Sequence, residues 1–208
     1  YYPLDRLYPQ PGYVEQDPYA VAQSVAGAIT AAIDEAGCAP DQIVACGVTS
    51  QRNTDFAWDK KSGQPIGNAV TWQDLRTAPI LREIEALPFT SQARYRLGYP
   101  PGTYMTAVHL AWRMRHQEAL REAAQNGTRQ LGLSTAWLLK ALGRPSAHAM
   151  DTSLVQATGL YDFRCGAYWQ EWLDWIGVPI DALPQAMPTL YDFGLLHVED
   201  SRGRSADI

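Results

Sequence analysis

Two short apolar runs of the sequence, Ile43–Val48 and Ala69–Trp72, lead directly into side chains that form hydrogen bonds. Arginine supplies a fork of donors, aspartate accepts, and the amides of Asn and Gln do both, so this set suits a ligand rich in hydroxyl groups. Aromatic rings nearby could cover the C–H surface of the same ligand. The candidate substrate-binding residues are therefore Gln51, Arg52, Asn53, Trp72, Asp74 and Tyr104.

An ordinary structural role is the alternative for the charged and amide members of this set. Arg52 and Asp74 have opposite charges, and an exposed ion pair between them would contribute little to stability or function. Asn53 could simply turn the chain at a strand end, because Asn adopts turn conformations easily. The residues alone leave both alternatives open.

The strands that must position these residues are short. Ile43–Thr49 is an apolar, partly β-branched run of strand length. Phe56–Trp58, a Lys-Lys-Ser-Gly turn and Pro65-Ile66 predict a hairpin that leads to a further strand, Ala69–Trp72. Strands of an open α/β sheet stop at an edge where loops converge. We therefore expect the polar residues to follow two strand ends and to line a cleft at that edge.

Helical patterns alternate with these strands and predict an α/β fold in which helices flank a sheet. Asp17-Pro18 combines an N-cap with proline at the first helical position, and apolar residues then recur every four positions as far as Gly37. Further helices are predicted after Thr77, within Tyr104–Gln125 and over Leu133–Leu142. Three tryptophans, Trp169, Trp172 and Trp175, are expected to pack in the core, and the polar tail Glu199–Asp207 is expected to be a boundary or linker.

The composition excludes several classes of partner. The chain has 208 residues, of which 46% are hydrophobic and 19% charged, which is enough for one sizeable core. A formal net charge of −5 argues against nucleic acid and anionic membranes, since both require a basic surface. The spacing of the histidines and cysteines predicts no metal site, and no Rossmann or Walker glycine loop is present. We expect a soluble, cytoplasmic protein.

The stretch from Gly47 to Thr77 resembles one family closely. It contains "GVTSQRNT" and "WDKKSGQPIGNAVTWQDLRT", and the FGGY carbohydrate kinases, in particular their glycerol-kinase-like members, carry "G-I-T-N-Q-R-E-T" and "W-D-[KR]-x-T-G-x-P-[IL]-x-N-A-I-x-W-Q-D-x-R-T". The segment "YPQPGYVEQDP" is similar to another motif of the family. Tyr104, eight residues before Trp112, matches a substrate-contacting tyrosine, and "MDTSLVQATGLYDF" resembles a later segment less strongly.

The resemblance implies the N-terminal, sugar-binding domain of an actin-like (ribonuclease H-like) ATPase fold, with a mixed sheet flanked by helices. It also implies an ATP-dependent kinase that transfers the γ-phosphoryl group to a hydroxyl of a sugar or polyol with Mg²⁺. The family's "D-x-G-[TS]" phosphate loop, catalytic aspartate and nucleotide-binding domain have no match here. We therefore expect residues 1–208 to be a partial domain without catalytic, metal or nucleotide ligands, so that neither ATP nor Mg²⁺ is bound by this chain alone.

Two other classes of protein are weighed against the kinase. A non-catalytic sugar-binding or sensor protein would use the same cleft without a phosphate loop. An α/β interaction domain would have merely solvated polar residues, but it leaves the length of the motif match unexplained. A sugar or polyol is the expected partner of both the kinase and the sugar-binding protein. A homodimer is one option for the assembly.

Overall fold

The computed structural model describes residues 2–208. The helices within this range are α1 (Pro18–Ala36), α2 (Ala78–Glu85), α3 (Thr90–Leu97), α4 (Thr106–His116), α5 (Glu118–Gln125), α6 (Ser134–Leu142), α7 (Thr152–Ala157) and α8 (Gln170–Ile176). The strands are β1 (Glu15–Gln16), β2 (Asp55–Asp59), β3 (Ala69–Val70), β4 (Arg129–Leu133), β5 (Gly143–Pro145), β6 (Ala149–Asp151), β7 (Tyr161–Asp162), β8 (Ala167–Tyr168), β9 (Gln185–Met187), β10 (Gly194–Glu199) and β11 (Ser205–Asp207). None of these helices is both long and apolar enough to cross a membrane.

A four-stranded sheet in the order β1-β3-β2-β4 lies at the centre, and each neighbouring pair in it is antiparallel. Side chains of a strand alternate between the two faces. Accordingly Phe56 and Trp58 pack with Trp137 of α6 on one face, whereas Ala57 packs with the helices α2, α4 and α8 on the other. The sheet is thus covered by helices on both faces, as the sequence predicts.

Helix α1 forms as its sequence predicts, because both of its ends are encoded locally. The Asp17 carboxylate accepts a hydrogen bond of 2.8 Å from the N–H of Tyr19, Pro18 occupies the first turn, and Gly37 ends the helix with φ of 66°. Glycine adopts this left-handed conformation without the steric cost that other residues have. The predicted apolar face is buried against two of the hydrophobic clusters.

The predicted strand Ile43–Thr49 does not form, and this expectation is wrong. The segment has no regular secondary structure, and no strand within residues 2–208 pairs with its backbone N–H and C=O groups. Val44 is 95% exposed. An apolar run has strand-like composition whether or not a neighbour is available, so the pattern could not reveal the missing partner. The polar residues Gln51–Asn53 therefore precede β2 instead of following a strand.

The predicted boundary at the polar tail Glu199–Asp207 is also wrong. Strand β10 pairs with β11 and with β5, which gives a three-stranded antiparallel sheet. The Asp200 carboxylate closes the turn between β10 and β11, because it accepts from the backbone N–H groups of Arg202 and Arg204 at 3.0 and 2.9 Å. A tail rich in Ser, Arg, Gly and Asp is thus the tight turn of a hairpin.

The later helical segments follow the prediction with one change. The expected helix within Tyr104–Gln125 divides into α4 and α5 at Gln117, and Tyr104 lies in the loop before α4. The tryptophans of the α8 region belong to the core, where the Trp172 and Trp175 rings stack with centroids 5.3 Å apart. The one parallel pair of strands in residues 2–208, β6 with β9, forms a separate two-stranded sheet, so parallel and antiparallel pairing occur in different sheets and not in one mixed sheet.

Candidate substrate-binding site

Four of the six predicted residues line one cavity of about 290 Å³, namely Arg52, Asn53, Trp72 and Tyr104. Three of them come from the segments that flank β2 and β3, since Arg52 and Asn53 precede β2 and Trp72 follows β3. Asp55 of β2 lies opposite Val70 of β3 in an antiparallel pair, so the chain enters β2 where it leaves β3. Arg52 and Trp72 consequently meet at one end of the sheet, although one precedes its strand and the other follows it.

Asn53 has a backbone conformation that few residue types adopt. Its φ is 56°, which makes it the one non-glycine residue with positive φ in residues 2–208. Asn tolerates this left-handed region better than most side chains. Its Oδ1 also accepts a hydrogen bond of 3.2 Å from the N–H of Thr106, the first residue of α4, whose helical position leaves this N–H without a partner inside the helix. Asn53 thus turns the chain, caps α4 and lines the cavity.

Tyr104 is held at the cavity by the loop that precedes α4. The hydroxyl of Tyr99 donates to the carbonyl oxygens of Gln156 and Ala157 at 2.9 Å each, and the ring of Tyr99 lies 6.5 Å from that of Tyr104. Burial raises the pKa of the Tyr99 phenol, so this hydroxyl stays a donor at neutral pH. Gly102 leaves no room for a side chain, because a Cβ there would lie 2.4 Å from the Tyr104 ring.

Gln51 and Asp74 do not line the cavity. The Gln51 amide donates to the side-chain oxygen of Gln16 at 2.9 Å and so connects the segment before β2 to β1. Asp74 is fully buried, and its carboxylate accepts from the N–H of Val14 at 2.6 Å and from the guanidinium of Arg76 at 2.8 and 2.7 Å. The ion pair that Asp74 forms is therefore with Arg76 and not with Arg52.

The Arg76 side chain fixes the loop that carries Trp72. Its guanidinium also donates to Glu15 of β1 at 2.7 Å and lies 3.9 Å from the Tyr13 ring centroid and 5.0 Å from that of Trp112. A planar guanidinium can bind two carboxylates and stack on aromatic rings at the same time. The cluster therefore ties the segment after β3 to β1 and to α4, next to the cavity.

A second buried cluster lies between β2 and α4. The Asp55 carboxylate is 2.6 Å from Nδ1 of His109 and 2.6 Å from Nη1 of Arg113. Burial alone would raise the pKa of Asp55, but the charge of Arg113 and the hydrogen bonds from both partners outweigh it, so the pKa lies below its usual range. Asp55 is ionised at neutral pH. Asp55, His109 and Arg113 are together called the β2–α4 cluster below.

Sequence reasoning missed the residues that support the cavity. The turn signal Pro100-Pro101-Gly102 before Tyr104 could have indicated a constrained loop. The contacts of Arg76 with Glu15 and of His109 with Asp55 join residues 61 and 54 positions apart, which no local pattern indicates. Within residues 2–208, no group of three or more His, Cys, Asp or Glu side chains is arranged to hold a metal ion.

The chain belongs to the FGGY family of carbohydrate kinases. The sequence model of the N-terminal domain of this family matches residues 1–203. The chain is 34% identical over 189 residues to Glycerol kinase 2 of Thermotoga maritima, a match that covers 91% of this chain and 38% of the relative. It is 32% identical over 196 residues to the glycerol kinase of Halorhodospira halophila, covering 94% of this chain and 39% of the relative. The chain spans about two fifths of these curated relatives.

Solved structures confirm the expected fold class. The crystal structure of Plasmodium falciparum glycerol kinase with ADP matches with a TM-score of 0.83 and 23% identity, over 93% of this chain and 38% of that chain. The xylulose kinase from Rhodospirillum rubrum matches with a TM-score of 0.80 and 19% identity, over 93% of this chain and 39% of that chain. The domain is therefore α/β, with the actin-like ATPase fold of these kinases.

The burial of Asp74 predicts a stability effect in place of a binding effect. Asp74→Asn removes the charge beside the buried Arg76 and should destabilise the protein by about 3 kcal/mol, as for other buried pairs that lose one partner. Glu83→Gln is the control, because it breaks the exposed pair with Arg115 and should cost less than about 1 kcal/mol. Urea unfolding measures both. Equal losses in the two variants would contradict the structural role of Asp74.

A substitution at Gly102 can test whether the position of the Tyr104 ring matters for ligand binding. Gly102→Ala places a Cβ against the Tyr104 ring, which must then move, and the affinity for a hydroxylated ligand should fall about 3- to 10-fold through loss of the aromatic contact. Gly47→Ala is the control, since a Cβ there has no neighbour within 4 Å. Equilibrium titration with polyols measures the affinity. Unchanged affinity in Gly102→Ala would show that Tyr104 is not a ligand contact.

Proposed function

We propose that this chain forms the acceptor-binding part of an ATP-dependent kinase that phosphorylates a hydroxyl group of a sugar or polyol. The observation that supports this most directly is the cavity that unites Arg52, Asn53, Trp72 and Tyr104. These side chains come from three segments of the chain, and they combine donors, an amide and two aromatic rings in one place. Family membership supports the same proposal.

The chemistry of the cavity suits the binding of a hydroxylated molecule. Arg52 forms no ion pair with any residue in the range 2–208, so its donors are available to hydroxyl oxygens. Trp72 and Tyr104 are 50% and 38% exposed and offer ring surface to C–H groups. Phosphoryl transfer depends largely on alignment and charge stabilisation. The role proposed for these residues is to align the attacking hydroxyl.

ATP and Mg²⁺ are part of the proposal, but we assign neither to residues of this chain. The described residues include no metal-binding cluster, and the sequence has no glycine-rich phosphate loop. The proposed role of this chain is therefore limited to binding and aligning the acceptor. A cytoplasmic location and a homodimer remain predictions of the sequence.

The acceptor proposed is a polyol larger than glycerol, a ketose or a related sugar. Glycerol-kinase-like members of the family have Glu after Gln-Arg, whereas this chain has Asn53. An amide donates and accepts and is neutral, whereas a carboxylate only accepts and is charged. Because a site rejects molecules that leave its polar groups unpaired, this exchange should alter which arrangement of hydroxyl or carbonyl groups is preferred.

The test of the kinase proposal uses the complete gene product with ATP, Mg²⁺ and a panel of glycerol, tetritols, pentitols and ketoses. ADP release should depend on one class of acceptor. Arg52→Ala should lower kcat/KM for that acceptor by about 10- to 100-fold, since each hydrogen bond to a charged group contributes about 1.5–3 kcal/mol. The fold should be unaffected, because Arg52 is exposed. Arg82→Ala, at an exposed position of α2, is the matched control.

Two outcomes would overturn parts of this proposal. Saturable binding of an acceptor without any ADP release would favour a sugar-binding or sensor protein. A loss of thermal stability in Arg52→Ala with unchanged kcat/KM would assign Arg52 a structural role.

The role of Asn53 in specificity requires a substitution that keeps its backbone conformation. A Glu at φ of 56° would be strained, whereas Asp tolerates this region and retains an oxygen for the Thr106 N–H. Asn53→Asp should therefore shift the ratio of kcat/KM for glycerol over that for longer polyols at least about tenfold towards glycerol. Asn126→Asp, at an exposed turn, is the control. If the ratio is the same in both variants, Asn53 only turns the chain.

A further inference from the structure

The β2–α4 cluster contains three of the most buried polar side chains of the described chain. Asp55 is 1% exposed and both His109 and Arg113 are 0% exposed. An ionised carboxylate only accepts hydrogen bonds, so His109 Nδ1 donates to Oδ1 of Asp55 while Arg113 Nη1 donates to Oδ2. Each carboxylate oxygen of the β2 residue is thus bound by a different turn of α4.

Arg113 extends the cluster beyond this carboxylate. Its Nη2 donates to the carbonyl oxygen of Ile66 at 3.1 Å, and its Nε donates to the side chain of Gln117 at 2.8 Å. The contacts reach the segment before β3 and the end of α4. A shift of α4 along its axis would therefore break several directional hydrogen bonds at once. Apolar contacts are not directional and would not fix the position of the helix in this way.

The cluster continues towards the cavity along both of its elements. Asn53, two residues before Asp55, accepts from Thr106, which is one turn before His109 on α4. Tyr104 lies two residues before Thr106. The register of α4 on β2 therefore determines where Asn53 and Tyr104 lie relative to each other, and these are two of the four residues that line the cavity.

His109 is poorly explained as a contribution to stability alone. Its Nε2 is fully buried and has no hydrogen-bond partner among the described residues, and the same is true of Oγ1 of Thr106 on the same face of α4. A buried polar atom without a partner reduces stability. Well-packed apolar residues often stabilise a core as much as a buried ionic group does. A role in fixing the position of α4 on β2 would explain why the cluster includes His109 although its Nε2 has no partner.

We propose that His109 is a positioning residue of the acceptor cavity, which acts through its Nδ1 bond to Asp55 to hold α4 in the register that places Tyr104 and Asn53. The kinetic consequence rests on the kinase function proposed above. The local consequence, a fixed contact between Thr106 and Asn53, does not depend on any activity.

The experiment compares two amide substitutions of His109 in the complete gene product. The Asn amide reaches the position of Nδ1 and can keep the bond to Asp55, whereas the longer Gln amide extends towards the position of Nε2. Both lose the ring. His109→Gln should raise KM for the acceptor at least about tenfold with KM for ATP unchanged. His109→Asn should keep KM for the acceptor close to the wild-type value. Trp137→Phe removes a buried hydrogen bond to Pro18 and controls for lower stability alone.

Hydrogen exchange of the Thr106 amide gives a readout that requires no substrate. Exchange at this amide should accelerate at least about tenfold in His109→Gln and stay near the wild-type rate in His109→Asn and Trp137→Phe. If His109→Gln does not fold, the comparison of His109→Asn with Arg113→Lys replaces it, and Arg113→Lys should show the faster exchange and the higher acceptor KM.

The outcomes separate this inference from the proposed function. A wild-type protein that phosphorylates no acceptor refutes the kinase proposal, and the Thr106 exchange then decides the role of His109. Equal exchange in all variants overturns the inference. So does an equal acceptor KM in His109→Gln and Trp137→Phe when both lower the thermal stability.

Discussion

Antiparallel pairing of β2 with β3 is the constraint on which the cavity depends. Asp55 lies opposite Val70, so the segment that enters β2 and the segment that leaves β3 emerge at the same end of the sheet. Parallel strands would have placed Arg52 and Trp72 at opposite ends. A slip of one residue would reverse the two faces of β2 and turn Asp55 into the apolar layer around Trp137. The alternation of polar and apolar side chains along β2 therefore enforces the strand register that forms the cavity.

Two buried arginines secure this arrangement. Arg76 joins β1 to the segment after β3, and Arg113 joins α4 to β2. The Trp112 ring of α4 lies over the Arg76 guanidinium, and Trp112 is next to Arg113 in the helix, so the two clusters are linked. Lysine could not replace either residue, because each guanidinium uses several donors in a fixed plane. Helix α4 is thereby held through two of its residues, and Tyr104 lies two residues before its start.

The sequence predicted the elements whose signals are local and failed where a distant partner decides. Helix α1 has its N-cap, proline and terminal glycine within its own segment, and the hairpin in which Trp58 pairs with Pro65 has its turn residues between these two positions. Ile43–Thr49 has the composition of a strand but no neighbour within residues 2–208. The contact of Asp55 with His109 spans 54 positions and was invisible to any pattern of spacing. Motif resemblance indicated the cavity residues but could not separate Asp74, which is buried, from those that line it.

Asn53 shows why one position can carry structural and chemical information together. Its backbone requires a residue that tolerates φ of 56°, which favours Gly, Asn and Asp. Its side-chain oxygen accepts from Thr106 at the start of α4, which excludes Gly. Asn and Asp both meet these two conditions, and they differ only in whether the remaining group is an amide that donates or a charged oxygen that accepts. Asn53 is only 9% exposed, so burial is a further condition, and it favours the neutral amide over a charged carboxylate at this position.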